Sequence, residues 1–144
     1  MTLHSFRPPL RCLPVTPLPR VLYIEDDALN WELAEASLSG EFDLRRATGS
    51  RHAFAALRRD GPFHALLIDI ALAASDLDGI EVLRVLKGHT IRKELPLYAF
   101  DVLALDTPAI FVTGGLYPER VLSAAGAVDV FVKPVDFGRL AARI

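Results

Sequence analysis

Apolar and polar positions along this chain fall into blocks that change period. Val21–Ile24 is a short apolar run with β-branched and aromatic members, which predicts a strand. It ends in Glu25-Asp26-Asp27, and Asp27 is placed to cap a helix over Ala28–Ser39, with Gly40 as its stop. Phe42–Ala47 sets Phe42 and Leu44 against polar partners, the pattern of a sheet edge. Ser50 is placed to cap a second helix through Arg59, ended by Gly61-Pro62. Ala65–Ile68, Ala109–Val112 and Val130–Val132 are continuous apolar runs, as in strands covered on both faces. Ile80, Leu83 and Leu86 recur at helical steps over Ile80–Lys87 until Gly88. Pro118–Ala125 predicts a further helix stopped at Gly126, and Asp136 caps a last one through Ile144. Strand and helix alternate throughout, which predicts a parallel sheet with helices on both faces.

Residues 79–107 are too long for this spacing. Pro96 can open a helix in which Leu97, Phe100, Ala104 and Leu105 share a face, and Tyr98, Phe100, Val102 and Ala104 alternate as a strand would. A helix is favoured because crossovers between parallel strands are normally helical, with the strand reading still open. Leu95, Leu97, Tyr98, Phe100, Val102, Leu103 and Leu105 crowd into this stretch. One helical face does not bury them all, so Gly88–Thr107 is expected to form a partner or self-association surface, the alternative being a thicker core.

Length and composition narrow the class. A chain of 144 residues suits one domain, and 51% apolar residues permit a buried core. Eighteen acids against 16 bases give a net charge of −2, which excludes a generally basic nucleic-acid binder. The single cysteine, Cys12, excludes a disulfide framework and a multi-cysteine zinc site. His4, His52, His64 and His89 are scattered without ligand spacing, and no glycine-rich nucleotide loop occurs. Trp31 and Phe54 read as core residues, and Arg45-Arg46, Arg51 and Arg58-Arg59 as solvated faces. The apolar runs are far shorter than the roughly 20 residues of a membrane span. A soluble, cytoplasmic domain is expected, with no membrane and no nucleic-acid partner. Residues 1–19 differ from the rest: Pro8, Pro9, Pro14, Pro17 and Pro19 accompany Arg7 and Arg11, with no acid. They read as a disordered tail, leaving 20–144 as the folded domain.

In an open parallel sheet the working groups lie beyond the carboxyl ends of the strands. Those positions hold Glu25 and Asp26, Asp69, Thr113-Gly114-Gly115, and Lys133-Pro134. Three carboxylates in one pocket repel: two unit charges about 4 Å apart cost about 4 kcal/mol at an effective dielectric near 20. Lys133 offsets one of them, and Mg²⁺ suits the remainder because it takes few carboxylates, keeps waters and coordinates phosphate oxygens. A carboxylate beside such an ion can accept a phosphoryl group as an acyl phosphate. Lys133 can neutralise its oxygens, the Thr113 hydroxyl can donate to one, and Gly114 leaves space.

The runs VLYIEDD, ALLIDI, DGIEVLRVLK, AIFVTGG and GAVDVFVKPVD, in this order from Arg20 onward, resemble the motifs of the response-regulator receiver domain of two-component signalling. The resemblance implies a flavodoxin-like, doubly wound five-stranded parallel sheet with five helices, here with an enlarged crossover between the third and fourth strands. It implies Asp69 as phosphoacceptor, Glu25 and Asp26 as the acidic pair, a metal-directed carbonyl on Ala71, Thr113 as the switch hydroxyl and Lys133 as the active-site lysine. Mg²⁺ is the implied cofactor. A histidine kinase or histidine phosphotransfer protein is the implied donor, and a downstream protein or a homodimer the output. The chain is expected to act as a stand-alone receiver and not as an enzyme. A phosphohydrolase on the same sheet is disfavoured by Ala71, where such enzymes carry a second Asp.

Three departures stand out. The loop between Asp69 and Asp78-Gly79 is longer than the usual pattern and lacks its proline. The stretch from Gly79 to Thr113 is also longer. Val130 stands where many receivers have an aromatic that moves with the switch. PAIFVTGG with ELPLYAFDVLAL is similar to an atypical receiver subgroup with a FATG-like fourth strand. The alternative reading is a degenerate receiver that serves as a constitutive binding or dimerisation module.

Overall fold

The computed structural model describes residues 16–144. The expected tail, residues 1–19, lies outside the described residues except for positions 16–19. Ten main elements follow in chain order: β1 (Arg20–Ile24), α1 (Ala28–Leu38), β2 (Asp43–Ala47), α2 (Ser50–Asp60), β3 (Ala65–Asp69), α3 (Gly79–Leu86), β4 (Ala109–Thr113), α4 (Glu119–Ala125), β5 (Asp129–Val132) and α5 (Phe137–Arg143). The strands form one parallel sheet in the order β2-β1-β3-β4-β5. This is the parallel sheet that the alternation predicts and the flavodoxin-like, doubly wound architecture that the resemblance implies.

Each face of the sheet buries its own core. Leu22, Ile24, Leu66, Ile68 and Phe111 point toward α2, α3 and α4, where they meet Phe54, Val82, Leu83 and Leu122. Val21, Tyr23, Leu67, Ile110 and Val112 point the other way, toward Ala34 and Leu38 of α1 and Leu140 of α5. Every residue of β3 and β4 is buried, so the middle of the sheet carries most of the apolar burial, at about 1.5–3 kcal/mol per large side chain. The register aligns Ile24 with Ile68 and Ile68 with Phe111. Glu25, Asp69 and the end of β4 therefore emerge at one rim.

Local signals set most helix ends. Asp27 accepts from the Leu29 and Asn30 amides and Asp136 from that of Arg139, capping α1 and α5 as expected. Asp78 and Glu81 form a reciprocal capping box at the start of α3. Gly126 ends α4 in the left-handed conformation, with φ of 111°.

Three expectations are corrected. Ser50 does not cap α2; Gly49 holds the cap position without a side-chain bond, and the Ser50 side chain is turned toward residues far along the chain. Val130–Val132 is not covered on both faces, because β5 is the sheet's last strand and Val132 is 53% exposed. The segment after α3 is neither the favoured helix nor a strand. It holds a 3₁₀ turn at Leu97–Ala99 and otherwise runs irregularly, with Asp101 at φ 63°. α3 already serves as the β3–β4 crossover helix. Basic side chains take up the segment's carbonyls in place of helical amides. Lys87 Nζ donates to Leu105 and Thr107 oxygens at 2.7 and 3.0 Å, Arg58 to Tyr98 O at 2.9 Å, and Arg84 to Thr90 O at 3.0 Å. Ala99 and Val102 are buried and Tyr98 half-buried, while Leu97, at 88%, Phe100, Leu103 and Leu105 are exposed.

Gly79 links this fold to the site. A Cβ there would lie 2.2 Å from the Asp69 carbonyl oxygen and 2.8 Å from Ile70 Cα, both backbone atoms that cannot swing away. Gly79→Ala is expected to lower the unfolding free energy by about 2 kcal/mol or more, the range of an overpacked core. Urea denaturation checks this, and a loss below about 0.5 kcal/mol contradicts the close approach.

Candidate functional site

Glu25, Asp26 and Asp69 each place a carboxylate oxygen within 4.8 Å of the others. Glu25 is fully buried, Asp69 nearly so, and Asp26 half-buried. Glu25 and Asp69 leave adjacent, hydrogen-bonded strands whose middles cannot shift without opening the core. Lys133 arrives from the end of β5, anchored by its amide on the Thr113 carbonyl at 2.8 Å. Its Nζ lies 3.1 Å from Asp69 Oδ2 and 3.2 Å from Glu25 Oε1. One ammonium thus faces two buried carboxylates.

The charges respond as burial requires. Desolvation pushes the Glu25 carboxyl up to about 7, helped by its hydrogen bond and repulsion with Asp69 and opposed by Asn30 and Lys133. Burial and the neighbouring acid thus favour the protonated form of Glu25 more than they would for an exposed carboxyl. Burial works to lower the Lys133 ammonium, but the charges of Asp69 and Glu25 outweigh it and hold the group above its ordinary value. Tyr23, buried in β1 beneath the pocket, is raised by desolvation and then by the Glu25 and Asp69 charges, so it stays a neutral phenol.

The other expected residues take more peripheral places. The Ala71 amide donates to Asp69 Oδ1 at 3.3 Å, which ties the start of the loop to the carboxylate; Ala71 itself is exposed. Thr113 is buried at the end of β4, but its hydroxyl accepts from the Gly115 amide at 3.0 Å and bonds to none of the acids. A Cβ at Gly114 would meet nothing within 4 Å, so the space expected there is present. Asp26 Oδ2 accepts from the Ala73 amide at 2.8 Å.

Two features were not found from sequence. Arg46, read as part of a solvated face, is half-buried and donates to the Glu25 and Asp26 carbonyls, both at 3.1 Å. Its guanidinium lies 6.0 Å from the Trp31 ring centroid. Register pairs it with Tyr23, so its position opposite an inward residue was the available signal. The Ala73 contact depends on loop conformation and had none. His4 lies outside the described residues; His52, His64 and His89 are not part of the acidic cluster, and His52 and His64 serve as acceptors for the Thr48 and Arg20 amides.

An all-oxygen donor set with excess negative charge fits a hard divalent cation. Cysteine- and histidine-based zinc chemistry has no counterpart in this cluster.

No protein-family model matches the sequence, and no curated protein matches it. Solved structures do. The chain is similar to a response regulator from Chloroflexus aurantiacus, at 25% identity and a TM-score of 0.69, over 88% of this chain and 93% of that one. It is similar to a CheY-like response regulator receiver domain protein from Methanospirillum hungatei, at 26% identity and 0.69, over 88% and 90%. The receiver domain of NtrX from Brucella abortus matches at 23% identity and 0.67, over 85% and 92%. Against a longer NtrX chain the match spans 26% of that chain. The fold is thus that of response-regulator receiver domains, and the likeness supports a response-regulator role in two-component signalling. Among the described residues no helix is long and apolar enough to cross a membrane.

Lys133→Met tests the charge balance directly. In Mg²⁺-free buffer at neutral pH it is expected to cost about 1–3 kcal/mol, less than a fully buried pair because Glu25 can take up a proton. Stability equal to wild type in chemical denaturation would show that Lys133 does not compensate the acids.

Proposed function

We propose that this protein accepts a phosphoryl group on Asp69 from a phosphohistidine of a histidine kinase or phosphotransfer protein, and passes the signal on by protein contact. The observation that carries the reading is the convergence of three carboxylates and one lysine at the carboxyl rim of a receiver fold. An Asp69 carboxylate oxygen forms the new P–O bond as the P–N bond breaks, and the released imidazole keeps its electron pair and takes a proton. Asp26 and Asp69 would hold Mg²⁺, with Glu25 acting through water and Ala71 offering its carbonyl. When bound, the ion neutralises the incoming phosphoryl oxygens.

The chain's own groups do the rest. Lys133 remains beside Asp69 and pairs with a phosphoryl oxygen. Thr113 can donate its hydroxyl to a phosphoryl oxygen once it leaves the Gly115 carbonyl, and open space at Gly114 permits that turn. A shift of the β4–α4 loop follows, and with it a change in the face built by α4. Moving such a loop from 1:99 to 99:1 takes about 5.5 kcal/mol of differential interaction. A doubly charged phosphoryl group that gains a lysine, a hydroxyl and backbone amides is of the right order. The output is a contact with a downstream protein or a second copy.

The alternative is a degenerate receiver that binds constitutively. The bond from Ala73 to Asp26, the lengthened loop and Val130 favour it. Acetyl phosphate with Mg²⁺, followed by intact mass, decides between the two. The wild-type chain is expected to gain one phosphoryl mass and Asp69→Asn none. Uptake by Asp69→Asn at the wild-type rate overturns the assignment.

Mg²⁺ binding is expected to stabilise the native state alone, by about 2.7 kcal/mol at a hundredfold excess over Kd. Thermal melts with and without millimolar Mg²⁺ should separate wild type, whose Tm rises, from Asp26→Asn, whose Tm rises less. Identical responses would remove Asp26 from the metal site.

A further inference from the structure

The loop between Asp69 and α3 lies against two quite different neighbours. On one side it meets the carboxylates, through the Ala71 amide on Asp69 and the Ala73 amide on Asp26. On the other it meets the irregular segment of the β3–β4 crossover. Tyr98 Oη lies 3.0 Å from Asp76 Oδ2 and 2.7 Å from Ser50 Oγ. Ser75 Oγ lies 2.8 Å from Ser50 Oγ and accepts from the Ser50 amide at 2.8 Å, and the Leu77 amide reaches Ser50 Oγ at 3.3 Å. Lys93, also from the crossover, donates to the Asp76 carbonyl at 3.4 Å and pairs with Glu81 at 2.9 Å.

The proton order in this chain follows from donor chemistry. An ionised Asp76 only accepts, so Tyr98 donates to it. The Ser50 hydroxyl then donates to Tyr98, and Ser75 donates to Ser50. Each bond polarises the next, and Ser50 is buried, so losing one link leaves a polar group without a partner. The Tyr98 ring is fixed independently, edge-on to Phe54 at 5.8 Å and under the Arg51 guanidinium at 4.8 Å. The hydroxyl is therefore presented from a rigid body, and the loop is the partner that conforms.

We propose that Tyr98, acting through Ser50, Ser75 and Asp76, is a positioning residue that sets the loop after Asp69 and thereby how Asp26, Asp69 and the Ala71 carbonyl meet a divalent cation. The proposal deepens the phosphoacceptor reading and rests on it for its purpose. The physical reason for such a device is plain: the loop is longer than usual, lacks a stiffening proline and exposes Ala71, Ala73, Ala74 and Asp76. Left alone it would sample many conformations, and ordering it on binding would cost affinity. The enlarged crossover supplies the restraint that the loop's own sequence lacks.

Tyr98→Phe removes the hydroxyl and keeps the ring; Ser75→Ala cuts the same chain from the loop side. Two measurements on the metal-free full chain serve as the test: amide hydrogen exchange, and titration with Mg²⁺ alone. In both variants the Ala73 and Leu77 amides are expected to exchange about tenfold faster, the worth of one charge-linked bond. Amides of β1 and β3 should stay unchanged and Mg²⁺ affinity should fall several-fold. The double variant should add little to either single one, because both act through Ser50. Unchanged loop exchange overturns the proposal. So does faster exchange with unaltered Mg²⁺ affinity, which would leave Tyr98 a purely structural residue, and so does a wild-type chain that binds no Mg²⁺. If the wild type binds Mg²⁺ yet takes no phosphoryl group from acetyl phosphate, the phosphoacceptor reading fails while the Mg²⁺ titrations still decide the role of Tyr98.

Discussion

The mutual repulsion of Glu25, Asp26 and Asp69 is the constraint on which the rest of this molecule depends. Two of these acids are buried and a single ammonium faces them. Left free, they would separate or take up protons, and burial together with Asp69 raises the Glu25 carboxyl in the direction of the second response. They cannot separate, because Glu25 and Asp69 are continuous with β1 and β3, whose apolar residues are locked into both cores. The sheet thus spends part of its packing energy on holding an electrostatically unfavourable pocket in place. That is the arrangement in which a dication or a proton has most to gain by arriving.

The backbone around the pocket shows how the cost is contained. Arg46 donates to the Glu25 and Asp26 carbonyls, so a positive charge lies just beneath the acids without neutralising their side chains. The Ala71 and Ala73 amides face Asp69 and Asp26. These groups reduce the field while leaving carboxylate oxygens for a ligand. Lys133 differs from them in being partly exposed on a long flexible stem, so it can follow a negative group that enters.

Much of this was legible because it is written locally. A buried parallel strand needs an unbroken apolar run, and β3 and β4 have one. Asp27, Asp136 and Gly126 end their helices by contacts within a few residues. Site residues follow from the same rule, since they stand just past those runs. What escaped was decided by partners far along the chain. Ser50 looks like a cap, yet its hydroxyl answers to Tyr98, 48 residues away. Arg46 looks solvated until strand pairing sets it beside Tyr23. The crossover looks helical by its apolar spacing, but Lys87, Arg58 and Arg84 take its carbonyls and Asp101 turns the chain. β5 reads as a central strand, and only the sheet order makes it an edge.

These long-range contacts also bear on how a change at Asp69 could travel. Val130 offers no large aromatic to rotate beneath β5, and the strand ends themselves are too well packed to move by small amounts. The compliant parts are the two loops that touch the acids. One follows Thr113, whose hydroxyl is held only by the Gly115 backbone. The other follows Asp69 and exposes Ala71, Ala73, Ala74 and Asp76. A ligand that draws Asp26 away from the Ala73 amide must alter the second loop, and that loop is bonded to the same Tyr98 that anchors the crossover. Because the ring is held between Phe54 and Arg51, the loop is the partner that conforms. The enlarged crossover thus holds that loop from the face opposite α1 and α5.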